Sequence, residues 1–454
     1  MAAESWMQYV RSIFASSSIH GFPQIVDGKS HIFGKVFWAI LVVLATTGAG
    51  FLSRLTLARY YENPIVISVE RDKFSWRTAV PAVTICPLTK LDPAALDDFV
   101  SNSSVVDKMA LREFIVSLAE ANYSSFNAVP SHDFITPDEF MSVLDRLKFN
   151  FKPVVTNSGL TVTKELLLNE TITEMGICYS FNSQFASYQS IGYWRQNLWT
   201  RLPVQEILEV NPLDGDVFTD IINMSTGFHV YIHGPLEVPD ALTKPLYSPN
   251  GHFLQVYLTS LSIIASEHTR ELSVEQRKCR YHHESYLDHS PVYSYVLCRI
   301  ECRISLAKEL CACVPHFYRP IEGERTVYYS SEFVDRLVLL ENECSCLANC
   351  EEIIYTVEDV DLRPWFLGSN LQWALKSYPE LRLRRDVLFG FSNLIVYIGL
   401  MMGLFLGCSV LSFAEIVYFC TLRLYWFRKS TRRRGETIYV YRRSRRNCWV
   451  VRRD

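Results

Sequence analysis

The chain has 454 residues, with 45 Lys or Arg against 48 Asp or Glu and a formal net charge of −3. That length suits two or three domains, and so balanced a charge gives the chain as a whole no affinity for nucleic acid. The average hides a segregation: eleven Arg and Lys residues stand behind Phe427 against only Glu436 and Asp454, so the remainder is acidic.

Residues 1–32 lack the early apolar core and the small-residue cleavage site of a signal peptide. They hold Ser18-Ile19-His20-Gly21-Phe22-Pro23, where Gly and Pro predict a turn rather than a helix. Taken alone, such a His-Gly pair reads as solvated surface. A first membrane span is expected over residues 33–57, built on the run from Val36 to Ala45 and continuing to Phe51 and Leu52. Lys35 at one end and Arg54 and Arg59 at the other leave its direction open.

Residues 58–386 form a long intervening segment. β-Branched or alternating runs predict strands at 64–69, 79–86, 228–232, 254–259 and 353–357, and helical patterns occupy 108–120, 137–147, 204–210, 302–311 and 332–341. Because the first strands follow one span and the last precedes the other, a central sheet is expected to join both membrane helices. Ten of the 13 cysteines fall in this segment, an even number of the kind a disulfide framework shows. A zinc cluster on Cys344, Cys346 and Cys350 is the competing reading. Four N-glycosylation sequons, at Asn102, Asn122, Asn169 and Asn223, weigh against it and mark the segment as extracellular. No cofactor or metal is expected. Glu358, Asp359 and Asp361 read as a solvated strand edge rather than an acid sensor or calcium site. No Gly-rich phosphate loop, His-Glu-x-x-His motif or nucleophile elbow points to an enzyme.

The second span is expected over residues 387–427, without a charge from Val387 to Ala414. Gly399, Gly403 and Gly407 recur every fourth residue, as on one helical face that lets neighbouring helices approach. Gly407-Cys408-Ser409, just ahead of Glu415, can offer carbonyls, a hydroxyl and a charge to a water-filled path; plain helix packing is the alternative. The basic tail, residues 428–454, is expected to stay in the cytoplasm and to meet anionic lipid headgroups rather than nucleic acid. Two spans then place the N-terminus inside as well.

Five parts in order now carry a resemblance: His20-Gly21; Pro81-Ala82-Val83-Thr84-Ile85-Cys86-Pro87; Glu275-Gln276-Arg277-Lys278-Cys279; Cys344-Ser345-Cys346 with Cys350; and Gly403-Leu404-Phe405-Leu406-Gly407-Cys408-Ser409. The chain resembles the degenerin/epithelial sodium channel family, and within it the arthropod pickpocket branch. The resemblance implies a plasma-membrane cation channel of three like subunits, with Na⁺ as permeant ion and block by amiloride-type compounds. It implies a filter at Gly407, Cys408 and Ser409, and a pore lined by Val396, Tyr397, Gly399, Gly403, Ser412 and Glu415. His20 and Gly21 would belong to a gating segment. Two transmembrane helices would flank a disulfide-linked α+β extracellular domain of palm sheet, thumb, finger and knuckle, with bridges Cys86–Cys178, Cys279–Cys350, Cys298–Cys346 and Cys302–Cys344.

The chain also departs from the family pattern. Cys311 and Cys313 lack the two further cysteines usual in relatives, leaving them to bond each other, pair between chains or stay free. The aromatic residue expected late in the thumb is missing near Ser273-Val274-Glu275, although Tyr60 and Tyr61 are present. Val396 stands where relatives carry a small residue beside the gate, which implies a high resting open probability. Competing readings are a non-conducting partner subunit, an ATP-gated two-span receptor channel, whose lysine clusters are not found, and an ecto-enzyme or adhesion receptor. The stimulus is left open.

Overall fold

A computed structural model describes residues 2–122, 125, 129–130, 132–158, 167–196, 206–311, 313–319, 321, 325–326 and 344–429. The helix expected at 332–341, nearly all of the basic tail and Tyr123-Ser124 of one sequon lie outside the described residues. The chain divides into a helical unit, Met1–Ile65 with Val387–Asp454, and a large domain, Val66–Asp386.

The large domain is organised on the strand His252–Ala265. One edge of this strand pairs antiparallel with Glu352–Pro364, with a register shift between Tyr257 and Leu258. Its other edge carries Ser369–Leu375 on the first half and Arg382–Val387 on the second, both parallel. Phe218–Met224 and Val154–Ser158 extend the sheet on one side and Ile65–Glu70 on the other. A second, five-stranded sheet runs Leu246–Ser248, Phe228–His233, Ala82–Pro87, Gly176–Phe181 and Asn169–Thr173. The two sheets share a core in which Val83, Ile85, Phe181 and Phe228 of one meet Leu254, Val256, Leu371 and Trp373 of the other. Burial of such side chains contributes roughly 1.5–3 kcal/mol each.

Helices form a second core. Asp92 and Asp107 cap Pro93–Asn102 and Lys108–Glu120 by accepting from backbone N–H groups of the first turn. Leu111, Phe114 and Leu118 then pack with Phe140 and Leu144 of Phe140–Leu147 and with Ile304 of the long helix Tyr295–Cys311. The disulfides Cys86–Cys178, Cys279–Cys350, Cys298–Cys346 and Cys302–Cys344, the pairs named above from the resemblance, tie this domain. Cys313 is itself disulfide-bonded, so it does not stay free. At the heart of the helical region, Arg303 donates to Glu174 at 2.9 and 3.0 Å and to Asp240 at 3.1 Å, all three buried.

Several expected elements change. The run 79–86 is two strands, Thr78–Ala79 and Ala82–Pro87, because Pro81 has no N–H for a ladder; its carbonyl instead accepts the Trp373 indole N–H at 3.2 Å. Residues 204–210 are not a helix where they are described: Glu209–Val210 pairs as a strand with Thr78–Ala79. The strand preceding the second span is Arg382–Val387, not 353–357, and it neighbours Ile65–Glu70, so the chain enters and leaves the large domain on adjacent strands. Glu358, Asp359 and Asp361 sit on an exposed strand, with Glu358 paired to Lys376 at 3.3 Å and Asp361 to Arg363.

Candidate pore and gating segment

The helical unit starts from three apolar helices. Ile32–Glu62 has a mean hydropathy of 2.0 and Val410–Lys429 one of 1.3, and Phe391–Leu406 is shorter and apolar after Asn393. The first helix runs beyond the expected residues 33–57 at both ends, and the second apolar stretch becomes helical only at Phe391, Val387 being the last residue of a strand. Phe33, Leu404, Val410 and Leu411 leave more than two-thirds of their surface uncovered. Large apolar side chains in that number suit lipid, in which only helices and closed barrels satisfy every backbone group. The helices meet closely at Gly48, where an added Cβ would stand 3.1 Å from the Phe405 ring.

The second apolar stretch breaks at Gly407-Cys408-Ser409, and local chemistry builds the break. Gly407 adopts a left-handed conformation (φ 63°) as the C-cap of Phe391–Leu406, its N–H donating to the Gly403 carbonyl at 2.9 Å. Ser409 then opens Val410–Tyr418 with a capping box: its hydroxyl accepts the Ser412 N–H at 3.3 Å, while the Ser412 hydroxyl accepts the Ser409 N–H at 3.1 Å. Cys408 bridges the two helices with a free thiol. Gly399 and Gly403 are helical, whereas Gly407 has left the helix, so the three glycines do not form one continuous helical face.

The N-terminal segment docks on this break. Residues Ala2–Ser16 form a helix, His20-Gly21 a turn, and Phe22–Val26 a second short helix, so Phe22 and Pro23 are helical rather than part of the turn. His20 donates its N–H to the Leu406 carbonyl at 3.1 Å, and its ring fills the space a side chain on Gly407 would need. Gly21 has φ 90°, and a Cβ there would collide with Val42 of the first apolar helix. Of the pair read from sequence as solvated surface, Gly21 is therefore buried against the first apolar helix, whereas His20 stays exposed while its ring abuts Gly407. Ser18 extends the contact: its hydroxyl donates to Ser412 at 2.8 Å and its N–H to Glu415 at 3.3 Å. Further along, Tyr9 donates to the Phe419 carbonyl at 2.7 Å within a π-helical turn, Phe419–Arg423, and Arg423 reaches the Ser12 and Ser16 hydroxyls at 2.6 and 2.9 Å.

Of the residues expected to line a pore, Val396 and Tyr397 are exposed on Phe391–Leu406, with Tyr397 tilted against Phe389 at 5.3 Å. Gly399 faces open space. Ser412 is buried between Ser409 and Ser18, and Glu415 is half-buried. The Ser-x-x-Ser capping box was the available sequence signal for where the second helix restarts. Nothing in the sequence signalled the contacts of Tyr9, Ser18 and Arg423. In the large domain, Asn102 and Asn223 are exposed, while Asn169 lies half-buried on a strand and Asn122 is half-buried beyond Lys108–Glu120.

The amiloride-sensitive sodium channel family model matches residues 13–419. Sodium channel protein Nach of Drosophila melanogaster is 23% identical over 90% of this chain and 86% of its own length. The bile acid-sensitive ion channel of Homo sapiens is 23% identical over 90% and 85%, and Pickpocket protein 28 of Drosophila melanogaster 22% identical over 92% and 79%. Among solved structures, a cryo-EM structure of a proton-activated chloride channel aligns over 85% of this chain and 98% of that one at 7% identity; its TM-score of 0.25 carries no argument. A match spanning both apolar stretches and the disulfide-tied domain between them identifies the chain as a two-span membrane protein of the amiloride-sensitive sodium channel, or degenerin/epithelial sodium channel, family.

Proposed function

We propose that the chain is a subunit of a trimeric, sodium-selective, amiloride-blocked cation channel of the plasma membrane, gated through its extracellular domain. The observation that carries this reading is the break at Gly407-Cys408-Ser409, where a left-handed glycine and a serine cap interrupt an otherwise apolar span. Irregular backbone at membrane depth is tolerated only where it is buried in protein or lines water. Three copies would bring these carbonyls and the Ser409 hydroxyls to one ring, able to replace part of a cation's hydration shell. Val396, Tyr397, Gly399, Gly403, Ser412 and Glu415 line the path on either side, and His20-Gly21 couples the N-terminal segment to the filter.

Both termini are cytoplasmic in this reading. Residues 1–32 are the inner gating segment, 33–57 and 387–427 the spans, 58–386 the extracellular domain and 428–454 a lipid-facing tail. Glycans occupy Asn102, Asn122, Asn169 and Asn223. The bulk of Val396 beside the gate holds the resting channel partly open, so Val396→Ala should lower resting sodium current.

The test is voltage-clamp recording of the full chain expressed alone, in sodium and in potassium solutions, with and without amiloride. A thiol reagent is then applied in a Cys420→Ser background, which leaves Cys408 as the free thiol among the described cysteines. Amiloride-blocked sodium current that changes on Cys408 modification supports the reading. No current from surface-expressed protein would sink it in favour of a non-conducting partner subunit.

A further inference from the structure

In the large domain an open cavity of about 370 Å³ lies between the helices Pro93–Asn102 and Phe140–Leu147. Ala95, Asp98, Phe99 and Asn102 form one wall, an i, i+3, i+4, i+7 stripe on a single face of the first helix, and Arg146 and Leu147 of the second helix form the other. Leu96 and Val100, on the neighbouring face, are buried in the core, so the stripe is turned outward beside it. The small side chain of Ala95 leaves the hollow, and Phe99 and Leu147 give it an apolar floor. The Arg146 guanidinium stands 5.8 Å from the centre of the Phe99 ring, near the limit of about 6 Å for a cation–π contact, and the residue is exposed, so it forms a polar rim rather than a lid.

The chain carries the attachment point for an occupant of this space. Asn102 lines the cavity and opens the sequon Asn102-Ser103-Ser104. Helical side chains lean toward the N-terminus, so the Asn102 carboxamide lies back over the turn of Asp98 and Phe99 instead of pointing off the helix end. Its Nδ2 donates to Asp98 Oδ1 at 3.0 Å. A primary amide nitrogen has two hydrogens, so one can give way to a glycosidic bond while the other keeps the contact with Asp98. Ser103 has spent its hydroxyl on the Val100 carbonyl at 2.8 Å, and Ser104, the third residue of the sequon, is exposed and outside the cavity. An apolar floor under a rim of carboxylate, guanidinium and amide matches a sugar, which has one face of C–H groups and a periphery of hydroxyls. A tethered sugar also needs little affinity of its own, because the link holds it at an effective concentration on the order of millimolar.

We propose that this cavity is the seat of the first N-acetylglucosamine on Asn102, whose C–H face packs on Phe99 and whose hydroxyl and acetamido groups meet Asp98 and Arg146. The link forms when Asn102 Nδ2 attacks C1 of a lipid-pyrophosphate-linked oligosaccharide; the nitrogen gives up one proton and the lipid pyrophosphate leaves C1. The seat rests on the reading of residues 58–386 as extracellular. Its test uses the full chain from eukaryotic cells, purified in detergent and trimmed with an endoglycosidase that leaves one N-acetylglucosamine at each occupied sequon. Mass spectrometry should find the sugar on Asn102. Amides of residues 95–103 and 140–147 should exchange hydrogen about three- to tenfold more slowly than in Ser104→Ala, which loses the sequon but keeps Asn102. Phe99→Leu and, separately, Ala95→Gln, which fills the hollow, should each abolish that difference when made with and without Ser104→Ala. An unoccupied Asn102 beside an occupied Asn223, equal exchange with and without the sequon, or protection that survives both substitutions would each overturn the seat and leave the extracellular reading intact. Absence of sugar from every sequon would overturn the two together.

Discussion

The two units of the chain are held by different physics. In the helical unit the decisive contacts are those of shape: Gly48 under Phe405, Gly21 under Val42, and Gly407 under the His20 ring. Its polar contacts cap the backbone left open by the break, where lipid offers no water to do so, and tie the N-terminal helix to the stretch around Phe419 and Arg423. The extracellular domain relies on long-range links instead. Disulfides close loops of 42 to 92 residues, and a buried guanidinium gathers two carboxylates from distant parts of the chain. A domain in an oxidising aqueous compartment can use covalent and ionic ties; a helix pair in hydrocarbon depends on how near two backbones can come.

Substitutions that remove one kind of tie should leave the other unit intact. The largest effect is expected from Arg303→Met, which strands the buried Glu174 without its cation and leaves Asp240 with the Arg299 cation alone, at 2.9 Å. It should cost about 3–5 kcal/mol, measured as urea or thermal unfolding of the extracellular domain in the purified chain. Removing the Cys298–Cys346 bridge by the paired Ser substitutions should cost about 2–4 kcal/mol in the same measurement and leave the membrane helices unaffected by circular dichroism. If that variant also lost helical signal, the separation of the two units would be wrong.

Within the helical unit, Gly407→Ala meets both a left-handed backbone and the His20 ring, for a penalty of roughly 2 kcal/mol. Sodium current should fall at least about tenfold at equal surface amount, and adding His20→Ala should recover part of it by opening the space. Ser409→Ala removes one half of the capping box, at about 1 kcal/mol, and, if the break is the filter proposed above, should lower the ratio of sodium to potassium current.

The smallest effect concerns Glu70, which accepts from Arg382 at 2.7 and 3.0 Å and from Arg384 at 3.0 Å. The hydrogen bond from Arg382 is the main cause that holds its carboxyl below the usual range, against the opposing pull of burial. A group whose pKa is depressed on folding contributes stability above its unfolded value, near pH 4.3, and that contribution is lost as pH falls through the folded value. Glu70→Gln should therefore lower the neutral plateau by about 0.5–1 kcal/mol and leave stability at the acid end unchanged, so that the acid limb flattens.

Much of the fold was legible because it is written in repeated chemistry. The apolar runs, the confined sequons and the ordered cysteines locate both spans and the domain between them, and the β-branched runs locate Phe228–His233 and the start of the long strand at His252. Other elements were hidden by charge. Arg382-Leu383-Arg384-Arg385-Asp386 does not read as a strand, because its stability comes from Glu70 across the sheet rather than from apolar alternation. Pro81 looked like part of one strand until its missing N–H separated two.

The candidate site was legible in part for a similar reason. Gly407 and Ser409 advertise a break through backbone preference alone, whereas His20 gains its meaning only from a residue nearly 400 positions away. Tyr9 and Arg423 carry no local pattern at all, since each serves a partner on the far end of the chain.

The adjacency of Ile65–Glu70 and Arg382–Val387 has an evolutionary consequence. Whatever is inserted or deleted in the loops between them, the separation of the two crossing points stays at one strand spacing, about 4.8 Å. Loops of the large domain can thus vary in length without parting the strands at its two ends, much as a hairpin tolerates variation at its tip.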